Sequence, residues 1–199
     1  AVDTFSELIN PGLKLSPYIT ELTGITDEML KDKPFIEEVL PRFIEFTGDD
    51  VIMGHNIMFD YSFLKQNAIN QKLKFDKMGI DTLKIARRLL PELEHKNLSF
   101  LCQYFNIDPG RSHRAYDDAV SASILYGKLE KLKPEDNSFS NTTKLVYVVK
   151  KDSPITPPQR RYLAALVEKH NINLEIPVEE MTKSMASRQI DTIIAQYGK

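Results

Sequence analysis

The 199-residue sequence lacks several features that mark special classes of protein. It has a single cysteine, Cys102, so no disulfide can form within the chain, and this fits a reducing cytoplasm. No apolar run reaches the ~20 residues of a membrane-spanning helix. Residues 1–4 lack the basic and apolar regions of a signal peptide. We therefore expect a cytoplasmic protein that does not enter a membrane.

The sequence also has no excess of positive charge. Its 26 Lys and Arg residues face 28 Asp and Glu residues, and the formal net charge is −2. A protein that coats nucleic acid is usually basic, so contact with nucleic acid would have to be local and assisted by metal ions. The hydrophobic fraction of 42% is ordinary and sufficient for a core. Composition excludes neither a monomer nor a homodimer.

Strand-like and helical segments alternate along the chain, which predicts an α/β domain. Strands are predicted at residues 4–9, 51–54, just before Asp81, and at 145–149. Helices are predicted at residues 17–22, after the cap Thr26, at 35–46, 59–68, 82–90, 99–105, 114–132 and 157–170, and between the cap Thr182 and Gly198. Pro41 should kink or divide its helix. The buried face of the helix at 114–132 is predicted to hold Ala119, Ala122, Ile124 and Leu125.

A polar, turn-rich stretch at residues 133–143 predicts a linker. It divides the chain into a domain at residues 1–132 and a small, mostly helical module at residues 144–199. No function is predicted for this module.

Residues 55–60 (His-Asn-Ile-Met-Phe-Asp) follow a predicted buried strand and open a helix. The carboxyl ends of strands are where sites form in α/β sheets, so Asp60 could reach a cleft and bind a metal ion. The alternative is that Asp60 only stabilises the helix N-terminus electrostatically.

Residues 113–118 (His-Arg-Ala-Tyr-Asp-Asp) place a histidine at the end of a loop and a carboxylate one turn into a helix. Such a pair suits metal-assisted hydrolysis, in which the carboxylate binds a divalent ion and His113 takes a proton from water. A capping histidine followed by two acidic residues is an equally good interpretation of this segment alone.

Four motifs taken together are much more specific. Their order is Leu-Thr-Gly-Ile-Thr at residues 22–26, Gly-His-Asn-x-x-Phe-Asp at 54–60, Ile-Asp-Thr-Leu at 80–83 and His-Arg-Ala-x-x-Asp-Ala at 113–119. This order resembles the DnaQ-like 3′→5′ exonuclease family, DEDDh subclass, and in particular the proofreading exonuclease domains and subunits of bacterial DNA polymerase III. The resemblance covers residues 1 to about 132.

The resemblance implies a ribonuclease-H-like fold, with a mixed sheet flanked by helices, and phosphodiester hydrolysis with two Mg²⁺ or Mn²⁺ ions. It implies Asp60 and Asp118 as metal ligands and His113 as the general base. Leu22 and Thr23 would wedge against the 3′-terminal nucleotide.

It further implies that Asn56 and Phe59 contact the sugar and base of that nucleotide. For Asp81 and Gly24 we expect structural roles. The implied substrate is the 3′ end of single-stranded DNA or RNA, with DNA favoured, and a DNA polymerase subunit is a further implied partner.

The first motif of the family, an Asp-x-Glu pair on the opening strand, is not found in this chain. Asp3 and Glu7 stand four positions apart and do not match it. The favoured interpretation is a fragment that lacks its N-terminal strand or strands; the alternative is a descendant that has lost catalysis. In either case we expect this chain alone to be impaired as an enzyme.

Two functions therefore remain in competition. The first is a metal-dependent 3′→5′ exonuclease. The second is a non-catalytic nucleic-acid-binding or polymerase-associated module that lacks the first carboxylate motif. The pair His113 and Asp118 favours the enzyme, because a cleft that only binds has little use for it.

Overall fold

The structure, a computed structural model, describes residues 3–111, 113–139, 141–148, 153–174 and 176–198. It forms two compact units, one of residues 1–11 and 15–147 and one of residues 12–14 and 148–199. None of the helices in the described part of the chain is long and apolar enough to cross a membrane.

The first unit contains most of the elements. Its helices are α1 (Pro17–Thr23), α2 (Asp27–Leu30), α3 (Ile36–Thr47), α4 (Ile57–Asn70), α5 (Thr82–Leu89), α6 (Leu98–Tyr104) and α7 (Ala115–Leu132). Its strands are β1 (Ile52–Gly54), β2 (Met78–Asp81) and β3 (Thr143–Lys144). The second unit contains α8 (Pro157–His170), a 3₁₀ turn (Val178–Glu180) and α9 (Lys183–Tyr197).

The sheet of the first unit is mixed and has the order β1-β2-β3. β1 and β2 are parallel, with Gly54 opposite Asp81, and β3 is antiparallel to β2. The predicted mixed sheet flanked by helices is confirmed. Since α4 and α5 begin directly after β1 and β2, their N-termini lie together at one edge of the sheet, where α/β proteins bind ligands.

Two apolar clusters hold the elements of this unit. One joins α5, α6 and α7 through Ile85, Ala86, Leu89, Leu90, Leu101, Cys102, Ile107, Leu125, Leu129 and Phe139. The other joins α3 and α4 to the sheet through Leu40, Ile57, Tyr61, Ala68, Phe75 and Leu145. The predicted core position of Cys102 is confirmed.

The buried face of α7 differs in part from the prediction. Ala122 and Leu125 are buried as predicted, but Ala119 and Ile124 are exposed. The buried set of Ser121, Ala122, Leu125 and Leu129 follows helical spacing of three and four, and this stripe turns Ala119 and Ile124 toward solvent.

The strand predicted at residues 4–9 is wrong, because residues 3–11 have no regular secondary structure. Phe5 instead contacts Phe43 and Phe46 of α3, and Glu7 pairs with Arg42 at 2.6 Å. Alternating residues form a strand only beside a second strand that completes their hydrogen bonds. In the described residues no strand lies beside this segment.

Of the two outcomes predicted for Pro41, a kink or a division of its helix, the division is wrong. α3 continues through Pro41 and ends at Gly48, as predicted for its C-terminus. Proline removes one donor to the carbonyl four residues earlier, here Glu37. Glu37 is exposed, so water can satisfy that carbonyl group.

The strand predicted at residues 145–149 lies earlier in the chain, at Thr143–Lys144, and Val149 is outside the described residues. The Leu145 amide donates to the Lys77 carbonyl at 3.0 Å, and its side chain is buried beside β2. The predicted linker thus ends in a strand of the first unit. The boundary between the compact units falls after Tyr147.

The second unit is a helix pair. Its core consists of Ile155, Leu163, Leu166, Met181, Ala186, Ile190 and Ile193. The hydroxyl of Thr156 caps α8 and that of Thr182 caps α9, and α9 ends at Gly198, as predicted. The small, mostly helical character predicted for this region is confirmed.

Candidate active site

The first segment of the site is the junction of β1 and α4. Asn56 has a left-handed backbone, with φ 66°, and its side chain does not cap α4. The Asn56 amide donates to the Asp81 carboxylate at 3.0 Å, and the same carboxylate accepts the Leu83 amide at 3.0 Å to cap α5. Asp81 therefore ties together the two helix N-termini, which is the geometry that a structural role needs.

His55 also connects two segments where β1 and β2 end, and the sequence predicted no role for it. Its Nε2 donates to the Lys96 carbonyl at 2.8 Å, and its Nδ1 lies 2.9 Å from Thr82 Oγ1. Burial lowers the pKa of His55, which favours a neutral ring. Its partners are 41 and 27 residues away in sequence, so no local pattern could have indicated them.

The fold of α4 determines which of its side chains face outward. Ile57 and Tyr61 are buried in the core and Met58 packs against it, whereas Phe59 and Asp60 point outward, because neighbours on a helix are turned by ~100°. Phe59 is 74% exposed and Asp60 keeps contact with solvent. Both predicted site residues on this helix are thus accessible.

The second segment is the start of α7. His113 is exposed and has a left-handed backbone, with φ 63°, and Arg114 is the N-cap residue. The Asp118 amide donates to the Arg114 carbonyl at 2.9 Å, which places Asp118 in the first turn. The His113 backbone amide donates to the Asp118 carboxylate. The structure thus brings together the predicted base and the predicted ligand.

The two adjacent acids of α7 have different surroundings. Asp117 accepts the Arg111 amide at 3.2 Å and the Arg111 Nε at 3.3 Å, and it packs against Gly110, where a Cβ atom would lie 3.1 Å from its carboxyl carbon. Asp118 instead interacts electrostatically with Asp60. Of the two acids, Asp118 is thus the one whose charge acts on Asp60 of α4.

The charge of Asp118 acts on the carboxyl group of Asp60. Burial raises the pKa of Asp60, its own backbone amide opposes this, and the charge of Asp118 raises the pKa further. Burial also raises the pKa of Asp118, while the amide and the charge of His113 lower it and Asp117 raises it. Two partly desolvated carboxylates that repel each other form a place that a cation would stabilise.

The donor set fits a divalent cation in part. Carboxylate oxygens are the ligands that Mg²⁺ and Mn²⁺ prefer, and Asp60 and Asp118 supply them from two helices. Among the residues that the structure describes, however, no group of three or more His, Cys, Asp or Glu side chains is arranged to hold a metal ion. The pair therefore accounts for part of one coordination sphere and not for two.

The third segment is the turn after α1. The Thr23 hydroxyl donates to the Ile19 carbonyl at 2.7 Å and accepts the Ile25 amide at 3.1 Å, and Gly24 is left-handed, with φ 64°. Leu22 is 36% exposed. Leu22 is thus accessible, whereas the Thr23 hydroxyl is already engaged locally. The glycine conformation fits the expected structural role of Gly24.

Arg114 links this turn to α7. Its guanidinium donates from Nε to the Thr23 carbonyl at 2.7 Å and from Nη2 to the Gly24 carbonyl at 3.2 Å. The interaction between α7 and α4 at Asp118 and Asp60 is, in contrast, a charge repulsion. Among the described residues, no hydrogen bond joins Asn56 or Phe59 to the turn, so their predicted shared substrate contact stays a prediction.

Comparison with known proteins gives consistent matches for the first unit. The RNase_T profile, described as an exonuclease, matches residues 1–126. A DNA polymerase III of the PolC type from Caldanaerobacter subterraneus is 42% identical over 132 residues, 66% of this chain and 9% of that protein. The corresponding protein of Bacillus subtilis is 41% identical over 133 residues, again 65% of this chain and 9% of that protein.

A solved structure agrees with the fold. It is a 3′-exonuclease described as recognising the 3′ end of a histone mRNA stem-loop, and the match covers 74% of this chain and 75% of that one, with 17% identity and a TM-score of 0.53. At this identity the likeness shows the fold alone. The chain thus spans about a tenth of the length of the PolC-type relatives and shares a fold with a far more distant nuclease.

Proposed function

The chain belongs to the exonuclease family, and on that premise we propose that it carries the site of a metal-dependent 3′→5′ exonuclease. The proposed reaction is hydrolysis of the phosphodiester bond at the 3′ end of single-stranded nucleic acid. The observation that supports this most strongly is the pair of mutually repelling carboxylates, Asp60 and Asp118, beside the exposed His113.

In this proposal Asp60 and Asp118 hold a divalent cation, Mg²⁺ or Mn²⁺. Such an ion polarises a phosphoryl oxygen and lowers the pKa of bound water. The two carboxylates bind the ion only when both are ionised. As the pH falls, protonation of the carboxylates weakens binding of the ion. Because both pKa values are raised, this weakening begins at a higher pH than it would with ordinary aspartates.

His113 is the proposed general base. It lies outside the helix, is exposed, and is positioned by its backbone bond to the Asp118 carboxylate. An imidazole suits this role because its ordinary pKa of ~6.5 is close to neutral pH. Its side chain can thus take a proton from water next to the carboxylate pair.

We propose DNA as the substrate, because the relatives at about 40% identity are DNA polymerases by name. Leu22, Thr23, Asn56 and Phe59 are the proposed contacts of the terminal nucleotide, and the exposure of Leu22, Asn56 and Phe59 is compatible with this role. A DNA polymerase subunit is the proposed partner, and the cytoplasm is the proposed location. Residues 1–132 are the proposed exonuclease domain, followed by a linker at 133–143 and a module at 144–199 of unassigned function.

The test uses a 5′-labelled single-stranded oligonucleotide with Mg²⁺, with Mn²⁺ and with a chelator. We expect weak cleavage by the 199-residue chain, since its described residues supply only two of the carboxylates. A version extended at the N-terminus by a hairpin with an Asp-x-Glu pair should produce a metal-dependent ladder from the 3′ end. If neither version produces a ladder with either metal, the proposal is wrong.

The second candidate function is a module that binds nucleic acid, or a polymerase, without cutting. The incomplete donor set in the described residues favours it. It predicts that the extended version binds the oligonucleotide in chelator and in Mg²⁺ alike and leaves it intact in both. The same gel, run beside a binding titration, separates the two functions.

A further inference from the structure

α1 has almost no apolar support. None of its seven residues is buried, so hydrophobic packing contributes little to holding it against the rest of the first unit. Its C-terminus also presents carbonyl groups without a partner in the helix. The position of the turn after α1 therefore depends strongly on polar contacts.

The guanidinium of Arg114 supplies such contacts from a point 91 residues later in the chain. It bonds two successive carbonyl oxygens, those of Thr23 and Gly24, at 2.7 and 3.2 Å. Hydrogen bonds from a charged donor are roughly twice as strong as neutral ones. The planar guanidinium group of arginine can also donate to two adjacent acceptors in a fixed geometry, which the ammonium group of lysine cannot do. Any Cβ atom on Gly24 would also lie 3.8 Å from Nη2.

The backbone of Arg114 performs a second task. Its carbonyl accepts the Asp118 amide at 2.9 Å, and its amide donates to the Arg111 carbonyl at 3.2 Å. The residue before it, His113, has a left-handed backbone that a non-glycine residue adopts only when its surroundings enforce it. One residue thus fixes the start of α7 by its backbone and the α1 turn by its side chain.

We propose that Arg114 is a positioning residue that sets the spacing between the α1 turn and the segment His113–Asp118. The proposal rests on the function proposed above, in which Leu22 and His113 act on the same 3′-terminal nucleotide. Arg114 does not touch the substrate. It keeps Leu22 and His113 at a fixed separation, so that both can engage one nucleotide.

The first test is amide hydrogen exchange in the full 199-residue chain, for Arg114→Gln and Arg114→Lys. The reporters are the Gly24 amide, which donates to the Thr20 carbonyl at 2.8 Å, and the Asp118 amide. We expect the Gly24 and Asp118 amides to exchange about tenfold faster in each variant. The reason is that the guanidinium bonds to the Thr23 and Gly24 carbonyls, which hold the two segments together, are lost. The control Arg88→Gln, which removes the ion pair between the exposed Arg88 and the largely covered Asp136, should leave both amides unchanged.

The second test is the affinity for a labelled single-stranded oligonucleotide in chelator. If Arg114 acted only as a positive charge near phosphate, Arg114→Lys would bind as the unchanged chain does. We expect both variants to bind more weakly, by up to about tenfold, and Arg88→Gln to bind normally.

Three results would overturn the proposal: unchanged exchange in Arg114→Gln, full restoration of exchange by lysine, or normal oligonucleotide affinity in a variant whose exchange is faster. The exchange measurement needs no substrate. If the unchanged chain binds too weakly to compare, the same variants are titrated in the version extended at the N-terminus. Failure of that version to bind or cut the oligonucleotide with either metal would make the function proposed above fail, and the exchange result still decides whether Arg114 holds the turn.

Discussion

The two helices that carry the candidate carboxylates are anchored in different ways. At the start of α4, Ile57 and Tyr61 enter the apolar core on either side of Asp60, and the Asp81 carboxylate holds the Asn56 amide. At the start of α7 the first buried residue is Ser121, beyond Asp118. The α4 side is thus held by the core and the sheet, and the α7 side by hydrogen bonds near the surface.

This difference separates stability from chemistry. Substitutions at the residues that anchor the start of α4 should lower the stability of the whole first unit, because these residues connect the sheet to the apolar core. Changes at the start of α7 should alter the reaction or ion binding while leaving the melting temperature nearly constant. The predictions below test this contrast in order of decreasing effect.

The largest effect is expected for His113 on the α7 side. In the extended version, His113→Asn should reduce the cleavage rate by ~10²–10⁴-fold, the usual contribution of a general base. Asparagine is preferable to alanine because it tolerates the left-handed backbone found here. Rate, Mn²⁺ affinity and melting temperature are measured together. A tenfold loss of Mn²⁺ affinity would make His113 a ligand, and a fall in melting temperature alone would make it structural.

The adjacent acids of α7 should differ next. Asp118→Asn should lower the cleavage rate of the extended version by roughly 10²–10³-fold, because a ligand worth several kcal/mol of charge stabilisation is lost. Asp117→Asn is the matched control and should have a mild effect, since Asp117 is turned to Arg111. The opposite ranking in the same gel assay would refute the assignment of Asp118.

On the α4 side, Asp81→Ala should destabilise the chain by about 1–2 kcal/mol, since it removes the cap of α5 and leaves the Asn56 amide without its acceptor. Thermal unfolding should show a decrease of about 2–8 °C. Asp81→Asn keeps an acceptor oxygen and serves as the control. Equal losses for the two variants would show that the negative charge, not the hydrogen bonds, is what matters.

The smallest effect is a gain in stability. The folded pKa of Asp60 is raised, so the folded state binds its proton more tightly than the unfolded state does. Stability therefore decreases as the pH rises from the ordinary pKa of ~3.9 through the raised value, and the loss is complete above it. In chelator at pH 7, Asp60→Asn should melt slightly higher than the unchanged chain. At a pH below the ordinary pKa the difference should vanish. A lower melting temperature at pH 7 would contradict the raised pKa of Asp60, which burial and the charge of Asp118 cause.

The sequence predicted those parts of the fold that depend on neighbouring residues. Caps at Thr26 and Thr182 and the ends at Gly24 and Gly48 were found where local rules place them. The strands predicted at 4–9 and 145–149 were wrong because a strand depends on a partner that may be distant in sequence, and local alternation does not reveal it.

The candidate site shows the same limit. The motifs, through the family that they resemble, indicated Asp60, His113 and Asp118. The hydrogen bonds of His55 to Lys96 and of Arg114 to Thr23 connect residues that are 41 and 91 positions apart in sequence, so only the fold reveals them. A sequence motif therefore indicates candidate catalytic residues more readily than the residues that position them.

The most direct test of the account is whether Asp60 and Asp118 act as one cation site. Mn²⁺ affinity is measured at pH 7.5 for the extended version, for Asp60→Asn, for Asp118→Asn and for the double variant. If the two carboxylates share an ion, each single variant loses nearly as much affinity as the double variant, because removing one ligand already disrupts the site. Independent, additive losses, or no loss in Asp118→Asn, would contradict the account.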